Sequence, residues 1–163
     1  SLDYKGSIYI RIPRGEEPAV YMEDYDYDYE IGKAIELSEG KDLTIIATGM
    51  AVYSSVQAAR KLEELGLDVG VIDMHTIKPL DTELVLEYAK KTGAIVTAEN
   101  HNKIGGLFSA VADCLIQNCP VPTGYVAGED EYGEVGPVDY LAERFGLTIE
   151  HIVEVAEKTV AKK

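Results

Sequence analysis

The stretch "DLTIIATGMAVYSSVQAARKLEELGLDVGVIDM", residues 42–74, contains a complete strand, helix and strand. Residues 42–49 are a compact β-branched run that ends at Gly49. Apolar residues then recur at helical spacing, at Val52, Val56, Ala59 and Leu62. Gly66 stands where a helix ends in a left-handed residue, and residues 68–74 are a second apolar run. The pattern predicts two parallel strands joined by a right-handed helical crossover.

The same alternation continues to the end of the chain. The predicted strands are residues 42–49, 68–74, 94–99 and 120–127. The predicted helices cover residues 51–66, 82–93, the apolar run Leu107–Leu115, residues 137–146 and residues 149–158. Asp81 and Thr148 are expected to cap two of these helices. Strands alternating with helices predict an α/β fold with a parallel sheet covered on both faces, a three-layer αβα sandwich.

One further strand is expected before this repeat. Residues 31–49 have two apolar runs separated by "SEGKD", residues 38–42, which is typical of a β-hairpin. Such a hairpin would add one antiparallel edge strand to the four parallel strands. We therefore expect a mostly parallel five-stranded sheet.

Composition excludes several classes of function. The 163 residues have a formal net charge of −14, which disfavours nucleic acid and anionic membrane surfaces as partners. No window approaches the roughly 20 apolar residues of a membrane span, and the start lacks the basic and apolar regions of a signal peptide, so we expect a cytoplasmic protein. Cys114 and Cys119 are expected to be reduced.

The N-terminal residues differ from the rest of the chain. "IYIRIPRG", residues 8–15, is a strand-like run that belongs to none of the strand-helix units. We expect residues 1–15 to be the last strand of a truncated preceding domain. Residues 16–30 are expected to be an acidic linker, and residues 31–163 to be the main domain.

Polar residues follow the predicted strands. His75 and His101 each come after the carboxyl end of a parallel strand, where open α/β sheets place their ligand crevices, and Glu99 lies beside His101. These residues either form a small-molecule site, make interdomain or intersubunit contacts, or cap helices. The three histidines lack zinc-site spacing, nucleotide-loop glycines are missing, and no Ser or Cys has a nucleophile motif.

Three segments carry a family resemblance. They are residues 42–81, ending in "HTIKPLD", then "AENHNKIGGLFSAVAD" (98–113), and "GEVGPVDYLAERFGLTIEHIVEVAEK" (133–158). In this order they resemble the C-terminal domain of transketolase over essentially residues 31–160. Deoxyxylulose-phosphate synthases and the beta subunits of 2-oxoacid dehydrogenases share this domain. The last segment favours transketolase, in particular the split type found in bacteria and archaea.

The resemblance implies a transferase of the pentose phosphate pathway that moves a two-carbon ketol unit between sugar phosphates. It implies thiamine diphosphate and Mg²⁺, bound between two preceding domains across a dimer interface. Those N-terminal and pyrimidine-binding portions would be the partners of this chain in a homodimer. The isolated chain is expected to be inactive and to bind no cofactor, because the resemblance places no catalytic or cofactor-binding residue in it.

The resemblance also implies a role for one arginine. By position in "PRG", Arg14 matches the family arginine that binds the substrate phosphate. A guanidinium suits this role because its planar fork donates two parallel hydrogen bonds to phosphate oxygens. Arg11, on the other face of an extended strand, is the second candidate and is expected to be mainly structural.

Two alternatives from other classes of function remain open at this point. The chain could be a non-catalytic assembly or regulatory module, since the same domain has interaction roles in dehydrogenase beta subunits. It could also be a free-standing α/β domain that binds a small anion near His75 and His101.

Overall fold

The computed structural model of the protein describes residues 4–12, 18–21 and 29–163. Strands and helices alternate through the last of these ranges. The strands are β1 (Ile35–Ser38), β2 (Leu43–Ala47), β3 (Val69–Asp73), β4 (Ile95–Asn102) and β5 (Thr123–Gly128). The helices are α1 (Ala51–Glu64), α2 (Thr82–Thr92), α3 (Leu107–Asn118), α4 (Val138–Arg144) and α5 (Ile149–Val160). No helix within the described ranges has the length and apolarity needed to cross a membrane.

The strands form one five-stranded sheet in the order β1-β3-β2-β4-β5. Strands β3, β2, β4 and β5 run parallel to one another, and β1 pairs antiparallel with β3. The predicted mostly parallel sheet with one antiparallel edge strand is therefore confirmed. The predicted hairpin was wrong, because β1 pairs with β3 and not with β2, which is adjacent to it in sequence.

The chain between β1 and β2 crosses over the start of β3. Gly40 lies so close to Gly70 that a Cβ atom at position 40 would collide with the Gly70 backbone nitrogen. The backbone N–H groups of Lys41 and Asp42 donate to the Asp68 carbonyl at 3.0 and 2.8 Å, and the Asp42 carboxylate accepts from the Asp68 N–H at 2.9 Å. These contacts carry the chain past β3, so that β2 enters the sheet as its central strand.

Helices cover both faces of the sheet. Helices α1 and α5 pack together on one face, and α2 and α3 pack together on the other. Strand β2 is buried throughout: Ile45 and Ala47 face the α1/α5 core, whereas Ile46 faces the α2/α3 core. The predicted three-layer αβα sandwich is confirmed.

Local signals in the sequence set several helix ends. The Asp81 carboxylate accepts from the Leu84 N–H at 3.2 Å, and the Thr148 hydroxyl accepts from the His151 N–H at 3.2 Å, so both predicted N-caps are confirmed. Gly66 follows α1 with a φ of 87°, as its predicted left-handed role requires. Cys114 and Cys119 are both free thiols.

Candidate functional site

The carboxyl ends of the central strands meet at one edge of the sheet, which we name the carboxyl edge (residues 48–50, 73–76 and 99–102). Ala47 at the end of β2 is in register with Asp73 of β3 on one side and with Ala98 of β4 on the other. Because neighbouring strands lie about 4.8 Å apart, the ends of β3 and β4 are separated by about 10 Å across β2.

The strand ends differ from the prediction in one respect. His75 does follow the end of β3, but Glu99 and His101 lie inside β4, which was predicted to end at residue 99. The strand is longer because its pairing with β5 resumes at Asn102 and Gly128 after an irregular register. His75 and His101 therefore lie on opposite sides of β2.

Glu99 is fully buried and caps helix α3. Its two carboxylate oxygens accept from the backbone N–H groups of Leu107 at 2.7 Å and Phe108 at 2.8 Å. A Cβ atom at Gly106 would collide with this carboxylate, so the glycine is required for the contact. The negative charge also lies at the positive end of the helix dipole. Among the roles considered for Glu99, these contacts support helix capping.

His75 lies in a partly buried position beside the segment that precedes β1. Its Nδ1 is 2.9 Å from the Thr76 hydroxyl, and its ring stacks on Tyr29 with centroids 4.4 Å apart. Its Nε2 is buried and has no hydrogen-bond partner among the described residues. Burial lowers the pKa of His75, and the nearby Asp73 carboxylate opposes this shift.

Asp73 is the other titratable group at the end of β3. The Tyr21 hydroxyl donates to its Oδ2 at 2.5 Å. Burial raises the pKa of Asp73, and the hydrogen bond from Tyr21 acts in the opposite direction. Asp73 and His75 thus each contact a tyrosine from the part of the chain that precedes β1.

Arg11 also contacts the carboxyl edge. Its guanidinium donates to the Asn100 backbone carbonyl at 3.1 Å, and the Asn100 side-chain amide lies 3.1 Å from the Met50 sulfur. Residues 4–12 are exposed and belong to no helix or strand. The Arg11 contact is compatible with the expected structural role. Arg14 lies outside the described residues, so its predicted role stays a prediction.

His101 is exposed and makes a local contact, in which its Nδ1 lies 3.0 Å from the Asn102 carbonyl. Asn102 orders the following turn, because its Oδ1 accepts from the Ile104 N–H at 2.8 Å. The structure therefore brings His101 together with the β4–α3 turn and not with His75.

Sequence reasoning missed a cluster beside the carboxyl edge, formed by Lys103, Phe108, Tyr125 and Glu129. The Lys103 ammonium donates to the Tyr125 hydroxyl at 3.2 Å and forms an ion pair with Glu129. The Tyr125 hydroxyl donates to Glu129 at 3.1 Å, and the Phe108 ring packs on Tyr125. The hydrogen bond between Lys103 and Glu129 raises the pKa of Lys103 and lowers that of Glu129. These residues are too far apart in sequence to form a recognisable motif.

The described residues offer neither a grouped set of metal ligands nor a free buried carboxylate at the carboxyl edge. Within residues 4–12, 18–21 and 29–163, no three His, Cys, Asp or Glu side chains are grouped in a way that could hold a metal ion. Both oxygens of Glu99, the fully buried carboxylate at the carboxyl edge, already accept backbone hydrogen bonds. Glu99 instead holds helix α3, and Asp73 and Asn100 hold Tyr21 and Arg11.

The mixed sheet, with β1 as its antiparallel edge strand and helices on both faces, defines a domain of the three-layer α/β class. The sequence profile of the family described as "Transketolase, C-terminal domain" matches residues 32–152. The chain belongs to this family.

Individual relatives share nearly the whole length of the chain. A 6-deoxy-6-sulfo-D-fructose transketolase subunit from Clostridium sp. (strain MSTE9) is 48% identical over 99% of this chain and 50% of its own length. An apulose-4-phosphate transketolase subunit from Phocaeicola vulgatus is 39% identical over 99% of this chain and 51% of its own. Deoxyxylulose-phosphate synthases also match. The chain thus spans about half the length of the transketolase subunits it matches.

A solved structure agrees with the fold. The protein described as "Split gene transketolase, inactive beta4 tetramer" superposes with a TM-score of 0.85 at 41% sequence identity. The superposition covers 91% of this chain and 48% of that chain.

Glu99→Gln is expected to lower the free energy of unfolding by about 2 kcal/mol, because the new amide nitrogen would face a backbone N–H inside the core. Urea denaturation at pH 7 measures the change. Asp113→Asn, an exposed change in the same helix, is the control and is expected to stay within about 0.5 kcal/mol of the parent. A Glu99→Gln protein as stable as the control would contradict the capping role.

His75 is expected to make stability depend on pH. The pKa of His75 is lower in the folded protein than in the unfolded chain, so the unfolded chain binds the proton more tightly. The free energy of unfolding should therefore fall as the pH decreases through the usual pKa of histidine, about 6.5. Urea denaturation between about pH 7.5 and pH 5.5 should show a smaller decrease in His75→Gln than in the parent. Equal slopes in the parent and His75→Gln would rule out the shift.

Proposed function

We propose that this chain is the C-terminal part of a transketolase, an enzyme that transfers a two-carbon ketol unit between sugar phosphates. The observation that carries the proposal is the 48% identity to a transketolase subunit over 99% of the chain, together with the family match at residues 32–152. A deoxyxylulose-phosphate synthase is the second candidate, because such enzymes are also among the relatives. The pentose phosphate pathway and a cytoplasmic location stay predictions from the sequence.

The cofactor of the proposed enzyme is thiamine diphosphate with Mg²⁺, which stabilises a carbanion during ketol transfer. The buried carboxylate of the carboxyl edge is occupied by backbone donors, which supports a cofactor site outside the described residues of this chain. In the proposal the cofactor is therefore held by the N-terminal and pyrimidine-binding portions of the enzyme. This chain contributes a scaffold for those portions and for a homodimer.

The exposed N-terminal segment supports a contact with the pyrimidine-binding portion. Ile8, Tyr9, Ile10 and Ile12 are all exposed, and Tyr9 is 89% exposed. Such a run of apolar and β-branched residues is typical of a strand that is paired on both sides in its native setting. In the proposal, residues 1–15 complete the sheet of the pyrimidine-binding portion, and Arg11 fixes the segment to the carboxyl edge through Asn100.

The proposed substrates are sugars that carry a terminal anionic group. The two transketolase relatives are named for different substrates, one a sulfonated sugar and the other a sugar phosphate. Both groups present several oxygens to a cation, and a guanidinium pairs with such oxygens through two parallel hydrogen bonds. We assign this role to Arg14.

The isolated 163-residue chain is expected to show no binding of thiamine diphosphate with Mg²⁺ in titration calorimetry. The complete enzyme that contains this chain is expected to bind the cofactor and to transfer ketol units from a ketose phosphate to an aldose phosphate. Clear binding by the isolated chain would contradict the placement of the cofactor. Binding without ketol transfer in the complete enzyme would contradict the transketolase assignment.

Arg14→Ala in the complete enzyme is expected to raise the Michaelis constant for phosphorylated sugars by about tenfold or more, because a charge-assisted bidentate contact is lost. Unphosphorylated sugars should be affected much less. Steady-state kinetics with matched pairs of substrates measures the difference. Arg11→Ala is the control and should not discriminate between the two kinds of sugar; equal effects of Arg14→Ala on both would remove Arg14 from the phosphate site.

A further inference from the structure

Strand β5 is the outer strand of the sheet and pairs with β4 on one side only, within the described part of the chain. Helix α3 packs on one of its faces and helix α5 on the other. An edge strand has a row of backbone donors and acceptors that can pair with another strand. The free side of β5 is therefore a potential interaction surface, which we name the β5 edge (Thr123–Gly128).

The pairing with β4 determines which backbone groups of β5 are free. The carbonyls of Pro122 and Gly128 accept from the N–H groups of Ile95 and Lys103 on the β4 side. Backbone groups of alternate residues in a strand point to the same side. The N–H and carbonyl groups of three residues consequently point away from β4: Thr123 and Tyr125, which are partly exposed, and Ala127, which is 7% exposed.

An open cleft of about 300 Å³ lies along this edge, between β5 and α5. Gly124 allows the helix to approach closely, because a Cβ atom there would collide with Thr159. The end of α5 therefore lies beside the start of β5, and the two elements run in opposite directions. The helix holds Lys158 and Lys162 beside the cleft.

Charges of opposite sign lie at the two ends of the β5 edge. Lys158 and Lys162 are at the end where β5 starts, whereas Glu129 and Asp130 follow the end where β5 stops. Lys158 is paired with Glu154, and Glu129 with Lys103. Lys162 and Asp130 are exposed and have no ion-pair partner among the described residues.

We infer that the β5 edge pairs antiparallel with the β5 edge of a second copy of this chain, forming one continuous sheet across a two-fold axis. Tyr125 lies opposite Tyr125 of the partner subunit, and Thr123 lies opposite Ala127 of the partner subunit, so that all the free backbone groups are paired. This inference rests on the homodimer proposed above and gives it a surface; it does not depend on the ketol-transfer chemistry.

The charges make the surface complementary to itself. In an antiparallel arrangement Lys162 of each copy lies at the end occupied by Asp130 of the partner subunit, and the two α5 helices run in opposite directions with opposed dipoles. Lysines beside an edge strand often prevent pairing. Here the lysines at one end of the β5 edge can pair with the carboxylates at the other end of the β5 edge of a second copy, which favours pairing of the two β5 edges.

The inference is tested by measuring the mass of the 163-residue chain in solution over a range of concentrations by analytical ultracentrifugation. Lys162→Glu and Asp130→Lys are each expected to raise the dimer dissociation constant by about tenfold or more, since each change places like charges together at both ends of the interface. The double variant Lys162→Glu/Asp130→Lys restores opposite charges and should return the constant to within about threefold of the parent. Lys90→Glu, the same charge change at an exposed position of α2, is the control and should leave the dimer dissociation constant at the parental value.

A second variant tests the backbone pairing itself. Thr123→Pro removes an outward N–H and leaves the ladder to β4 intact, a change that edge strands tolerate, and should also weaken the dimer. Circular dichroism checks that each variant is folded, and hydrogen exchange should show that the Tyr125 and Ala127 amides become protected as the concentration rises. A monomeric parent chain would overturn the inference. A dimer that none of these changes weakens would also overturn it, but would show that the homodimer forms through a different surface.

Discussion

The close approach of Gly40 to Gly70 determines how the sheet is arranged. The chain can cross the start of β3 only where position 40 has no side chain, because a Cβ atom there would collide with the Gly70 backbone. The crossing leads β2 into the centre of the sheet, where it is buried on both faces. The ends of β3 and β4 consequently flank β2 at the carboxyl edge, and β1 and β5 become the outer strands.

Most polar groups of the carboxyl edge contact the protein itself. Glu99 holds the start of α3, while Asp73 and Asn100 hold Tyr21 and Arg11 from the N-terminal part of the chain. A site that binds a cofactor would need donors and acceptors directed at the ligand. The edge is therefore suited to orient neighbouring parts of an enzyme, which agrees with the role proposed for this chain within a transketolase.

The order and type of the elements could be predicted from the sequence, because hydrophobic period and capping residues are local. Asp81, Thr148 and Gly66 each act where the sequence places them. The pairing of β1 could not be predicted, because it depends on a contact between Gly40 and Gly70, which are distant in sequence. Site residues were harder to interpret than the fold. The cluster of Lys103, Tyr125 and Glu129 depends on the pairing of β4 with β5, which no local pattern reveals.

The buried Glu99 carboxylate has a consequence for the order in which the domain assembles. The Glu99 side chain of β4 contacts the first turn of α3, so its carboxylate leaves water when α3 packs on the sheet. If α3 packed on the sheet without reaching Glu99, a charged group and two N–H donors would be buried without partners, at a cost of several kcal/mol. We therefore expect docking of α3 and capping by Glu99 to occur together, and the lack of a side chain at Gly106 allows the first turn to reach the carboxylate.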